Sequence, residues 1–291
     1  MGSISVFLVL LLSSIVLVSI SSASILVLLS GAPSYACAFW RLTISLIVLF
    51  SYGVLSGKRI IPCIRKLLLY SMVSGVFLGA HFLLWMESLF HIPVAVSTTI
   101  VVAFPLYNIV IDKVLFRESI TRLQLIGFVM GFTGVLLFLH PSIIGDYSVY
   151  GVLLAMGGSL AVAVYFCIGR FVRRYEELLP YVIPAYSCGV FTVLIYIIVI
   201  GGELLGYSLR SYVFFVLLAL IPMIGGHTVM NYLLRFMKTS SVTAIALGEP
   251  IGASILAYIL LGQTIGFSEA VLMAVVLSSV FLIVYEEARG K

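Results

Sequence analysis

Glu249 and Pro250 stand side by side in the middle of SSVTAIALGEPIGASILAYILLG, residues 240–262, a stretch about long enough to cross a bilayer as one helix. A lone carboxylate at the bilayer centre costs at least ~2.5 kcal/mol even on lenient insertion scales. A proline removes a backbone donor and crowds the turn before it. A membrane helix keeps both where neighbouring helices or a water-filled cavity take them up, so this pair marks a helix that lines a polar cavity. In such a cavity Glu249 can exchange a proton in step with a ligand. The alternative is a structural carboxylate that bonds backbone amides opened by a proline, near Pro105.

Two further pairs have the chemistry of a binding site. His81 and Trp85, and His227 and Asn231, are each spaced i,i+4 and so share a helix face. Two polar-aromatic faces turned to one cavity can hold an organic metabolite by stacking and hydrogen bonding; the plainer alternative is interhelical hydrogen bonding. Arg41 either attracts a ligand carboxylate or snorkels to the interface beside Trp40. Tyr165, together with Ser97, Thr98 and Thr99, offers hydroxyls. Asn108 and Asp112 share a face, with Asn108 toward the cavity and Asp112 in a solvated charge cluster near Lys113 and Arg117. Glu87 reads as interfacial. No Ser-His-Asp set or paired carboxylates stand at catalytic spacing, neither histidine has a metal-ligand partner, and no glycine-rich phosphate loop follows a strand. No cofactor or metal is expected.

The elements that position these residues follow from composition. Of 291 residues 63% are hydrophobic and 9% charged, against about 25% charged in soluble domains. Apolar runs of about twenty residues succeed one another, each enough to span the hydrocarbon core. This predicts an all-α membrane protein with spans near 4–29, 34–56, 66–90, 93–116, 121–140, 148–170, 180–200, 211–235, 240–262 and 266–285. The net charge of +5 then reads as loop charge rather than a nucleic-acid footprint. Of the 16 Lys and Arg, all but Arg41 and Arg210 follow even-numbered spans or lie in the C-terminal tail. That bias places both termini in the cytoplasm. Gly75-x-x-x-Gly79 and Gly127-x-x-x-Gly131 are close-approach surfaces, for packing within the chain or for a homodimer.

The chain repeats itself. Pro105 is followed thirteen residues later by Glu118, and Pro250 thirteen residues later by Gln263, so a shift of 145 lays one half on the other. An odd number of spans per half makes the repeats inverted, and both prolines then fall near the midplane, where such a plan puts its solute site. FPLYNIVIDKVLFRESITRLQLIGFVMGFTGVLLF in the first half, LGEPIGASILAYILLGQTIGFSEAVLMAVV in the second, and LLAMGGSLAVAVYFCIGRF at the start of the second resemble the drug/metabolite transporter superfamily, EamA-like branch. Gln263 departs from the second Glu usual there. The resemblance implies two inverted five-helix repeats, 1–140 and 141–291, in the plasma or inner membrane. It implies alternating-access transport, commonly export, of small organic metabolites such as amino acids. With no ATP-binding motif, an ion gradient, exchange or facilitated diffusion must drive the flux. An intramembrane lipid enzyme using Glu249 and a histidine is the alternative, and it requires His81 or His227 within hydrogen-bonding reach of Glu249. The candidate solute-binding residues are Arg41, His81, Trp85, Tyr165, His227 and Asn231. Pro105, Asn108, Glu249 and Pro250 shape or couple the cavity.

Overall fold

The computed structural model describes residues 4–143, 147–261 and 266–290, and their regular structure is entirely helical. A chain this apolar must satisfy its backbone polar groups within each segment, which helices do. The first helices are α1 (Val6–Ser21) and α2 (Ala23–Leu29), continuous but for a bend at Ser22, then α3 (Ser34–Leu55) and α4 (Arg65–Ser88). α5 (Val94–Val101), α6 (Phe104–Val114) and α7 (Arg122–Ile143) complete the first half. The second half opens with α8 (Val149–Arg173) and α9 (Leu178–Ile200). α10 (Leu209–Leu218) runs through a π-helical stretch, Ala219–Thr228, into α11 (Val229–Leu233). α12 (Thr239–Thr243) passes through a 3-10 turn, Ala244–Gly248, into α13 (Glu249–Leu261), and α14 (Phe267–Arg289) follows.

Among the described residues eight helices are long and apolar enough to cross a membrane. Of the other two expected spans, that at 121–140 includes residues 138–140, whose side chains lie outside the described ones, and its described apolar part is Arg122–Leu137. The Glu249-Pro250 stretch is not one helix but three short pieces. Gln263 lies outside the described residues.

Both proline-bearing stretches break just before the proline, and they break alike. α5 starts at Val94 and α12 at Thr239, while α6 starts at Phe104 and α13 at Glu249, so each pair of starts is offset by the same 145 residues as Pro105 and Pro250. Proline causes the breaks by deleting the amide that would bond the carbonyl four residues earlier. For Pro105 that acceptor is Val101 O, and Ser159 Oγ on α8 donates to it instead at 2.9 Å. For Pro250 it is Ala246 O, to which the Glu249 amide turns in a 3-10 bond.

Close helix contacts hold this arrangement. At Gly75 of α4 a Cβ would overlap Ala185 O of α9, and at Gly79 it would lie 2.9 Å from Gly189 O. At Gly127 and Gly131 of α7 it would meet Ile283 and Ser279 of α14. Both glycine pairs are therefore occupied by packing within the chain. The outer face is apolar, with Phe7, Val18, Leu69, Val199 and Leu209 exposed as for contact with lipid.

Candidate functional site

The breaks let α5, α6 and α13 end or begin deep in the bundle, beside α3, α4, α8 and the π-helical stretch. A cavity of about 30 Å³ lies where these meet. It is lined by Arg41, His81, Trp85, His227 and Glu249, with Phe104, Phe166, Met230 and smaller apolar side chains between them. That is room for a water or two, well short of the ~300 Å³ of a small-molecule pocket. The helices must part before an organic solute enters.

Arg41 projects from α3 with 1% of its surface exposed. Its guanidinium lies over the Phe82 ring, Cζ 4.2 Å from the centroid, and Nε and Nη1 have no hydrogen-bond partner. Burial rules out snorkelling. Trp40 takes the interfacial position instead, its Nε1 donating to Leu204 O at 3.1 Å. A buried, unpartnered guanidinium is costly unless something occupies the site.

His81 is held by α8. Gly158 has no Cβ to meet Trp85, so α8 comes close enough for Gly158 O to accept from His81 Nδ1 at 2.9 Å. A carbonyl can only accept, so the proton of a neutral ring sits on Nδ1 and Nε2 is left as an acceptor. The ring stacks on Trp85 with centroids 5.8 Å apart and planes 4° from parallel. Trp85 Nε1 is buried with no partner. His227, from the π-helical stretch, stacks on Phe166 at 5.7 Å and meets Phe82 edge-on at 5.2 Å, and its Nδ1 is also without a partner. The widened π turn accommodates Pro222 and sets the direction of His227, a use such turns often have.

Glu249 lies at the first position of α13, 7% exposed, on the same cavity as Arg41. It forms no ion pair with a described residue. Its carboxylate accepts no hydrogen bond from the amides freed by either break, and none joins it to His81 or His227. Both the backbone-bonding role and the acid–base pair with a histidine therefore lack their defining contact.

Other candidates sit one layer away. Tyr165 and Asn231 do not line the cavity; Asn231 Nδ2 donates to Tyr165 OH at 2.6 Å and to His227 O at 2.7 Å. Asn108 donates from Nδ2 to Thr243 Oγ1 at 3.3 Å and so joins α6 to α12. Asp112 is fully buried, not solvated; its Oδ2 accepts from the Ser240 amide at 2.6 Å in the first turn of α12. Pro105 and Pro250 adjoin the lining residues Phe104 and Glu249. Ser97 bonds Ser88 at 2.6 Å. Glu87 is half-exposed and joins Ser34 and His91, as an interfacial group would. Phe104 and Phe166, which line the cavity, and Phe82, which packs on Arg41 and His227, were missed from sequence, since nothing in their spacing separates an inward phenylalanine from a lipid-facing one.

The family model described as the EamA-like transporter family matches residues 3–140 and again 149–285. The chain is similar to an uncharacterized transporter of Bacillus subtilis (strain 168), 20% identical over 236 residues, covering 81% of this chain and 76% of that protein. It is also similar to a riboflavin transporter of Brucella anthropi, 26% identical over 157 residues, covering 54% of this chain and 53% of that protein. A solved crystal structure matches with a TM-score of 0.77 at 15% identity over 94% of this chain and 96% of the other, a likeness of fold alone.

Proposed function

Because this chain belongs to the EamA-like transporter family, we propose that it carries small zwitterionic metabolites, amino acids foremost, across the membrane through the cavity between Arg41 and Glu249. It is a multi-pass membrane transporter and not an enzyme. The finer reading rests on one observation: a single cavity holds a buried guanidinium with two unpartnered nitrogens and a buried carboxylate that forms no ion pair with a described residue. An α-carboxylate would take the Arg41 fork and an α-ammonium the Glu249 oxygens, each a charge-assisted hydrogen bond. The rings of His81, Trp85, Phe166 and His227 would hold the side chain, with His81 Nε2 as a further acceptor.

The path across the membrane is alternating access by two inverted five-helix repeats, 1–140 and 141–291, with both termini in the cytoplasm of a plasma or inner membrane and export as the direction. The matched 145-residue offset of the two broken stretches and the excess of Lys and Arg on one side support that reading.

Counterflow in proteoliposomes tests the solute class. Neutral amino acids should exchange, while the matching amine without a carboxylate and the acid without an amine should compete at least tenfold less well, about the worth of one charged hydrogen bond. Equal competition by either single-charge analogue overturns the zwitterion reading. A second reading has its own observation: the stacked pairs His81–Trp85 and Phe166–His227 suit a flat ring system such as that of riboflavin, the solute named for the Brucella anthropi relative. Riboflavin exchange that survives removal of either charge would favour it.

A further inference from the structure

A second cavity, about 540 Å³, opens at the Lys- and Arg-rich end of the bundle, between the end of α3, the α8–α9 junction and the end of α11. Three cations line it: Lys58, Arg173 and Arg235. Four other cations at this end are neutralised. Arg59 pairs with Glu176 at 2.6 Å, Arg170 and Arg174 share Glu118 at 3.0 and 2.6 Å, and Lys238 reaches Glu287 at 3.2 Å. None of the three lining cations forms an ion pair with a described residue. The cavity thus gathers three cations that no ion pair with a described residue neutralises. Glu177, a carboxylate on its rim, leaves the lining net positive and pairs with none of them.

Arg173 makes the case specific. It is 1% exposed, and its guanidinium is set by Nε donating to Asn231 O at 3.0 Å and Nη1 to Glu176 O at 2.6 Å. Those bonds orient the cation without neutralising it, and Nη2 takes part in neither. A buried cation bonded only to carbonyls is stabilised by an anion in the adjoining space. Three cations of different reach around one cavity suit a compact oxyanion with several acceptors. We propose that this cavity binds the phosphoryl headgroup of an anionic phospholipid. The lipid source follows from position. The cavity has apolar walls, including Leu49 and Phe236, and the elements that bound it carry exposed apolar side chains, Leu55 at the end of α3 and Tyr175 at the α8–α9 junction. Basic pockets between membrane helices bind such headgroups. Nothing in this site depends on which solute the central cavity carries.

The test is thermal unfolding of the purified full chain in detergent, titrated with phosphatidylglycerol, phosphatidylcholine or glycerol 3-phosphate. Phosphatidylglycerol should raise the midpoint and phosphatidylcholine should not. In K58Q/R235Q, both of whose sites are at the rim and outside the core, half-maximal shift should need roughly thirtyfold more phosphatidylglycerol. R173Q, if it folds, should lose the shift. Equal shifts with the two lipids, or an unchanged titration in the double variant, overturn the proposal. A shift by glycerol 3-phosphate at concentrations no higher than the lipid assigns the site to soluble phosphoesters and overturns the lipid source.

Discussion

Replacing Arg41 by Met separates a ligand-binding role from a structural one, because the two predict opposite signs of stability change. Met matches the unbranched stem of Arg as far as Nε, so R41M keeps the stem and removes the guanidinium and its charge. What the fold loses is the guanidinium–ring contact at 4.2 Å, worth about 0.5–2 kcal/mol. What it gains is relief from a buried guanidinium whose Nε and Nη1 have no partner. Replacing buried ionic groups by well-packed apolar ones is often neutral or stabilising by ~1–4 kcal/mol. The net expectation is an unfolding midpoint unchanged or raised. Transport should respond in the opposite direction. Losing the charge-assisted bonds to a solute carboxylate costs about 1.5–3 kcal/mol, a roughly ten- to 150-fold rise in the concentration giving half-maximal counterflow. R41K, which retains charge without the planar fork, should fall between. Thermal unfolding in detergent and counterflow in proteoliposomes, on the same preparations, read both quantities. A midpoint several degrees lower with half-maximal counterflow unchanged would refute the reasoning and make Arg41 a structural residue.

Other expectations are simpler to read. E249Q keeps the shape of the carboxylate, so it should fold to normal yield but lose counterflow at least tenfold, the lower end of a charged bond, and lose the dependence of transport on pH; normal flux with an intact pH profile would remove Glu249 from the mechanism. S159A leaves Val101 O without the donor that replaces the Pro105 amide, a loss of about 1–3 kcal/mol, seen as a lower unfolding midpoint. An unchanged midpoint would mean that the break is satisfied otherwise. G75A forces a methyl into Ala185 O and should cost ~1–3 kcal/mol or more by overpacking. G157A meets only the movable end of Leu84, at 3.2 Å, and should be tolerated. Equal unfolding midpoints for these two would show that α4 and α9 are not packed as described.

Where helices form and where they fail was legible in the residues alone. Backbone groups in lipid have no partner but one another, so apolar runs become helical, and the described helical stretches, two of them broken before a proline, begin and end within a few residues of the expected spans. Pro105 and Pro250 mark their own breaks because a missing amide acts locally. The 145-residue offset, legible in two prolines, recurs in the helix starts for the same reason. Orientation about each helix axis was not legible, because in a membrane protein apolar residues cover both the core and the lipid face, so periodicity no longer points inward. Only the tertiary structure turned Arg41 into the cavity rather than toward the interface, although both placements satisfy the same sequence. Only α12, brought against α6, gave Asp112 an amide to accept and buried what looked like a solvated acid. Tyr165 and Asn231, both polar and both well placed in the chain, were withdrawn from the cavity by bonding each other. Phe166 entered it through its stack on His227. For Asp112, for Tyr165 with Asn231, and for Phe166 the decisive partner lies at least 60 residues away, and a contact made across that separation is set by how the helices pack.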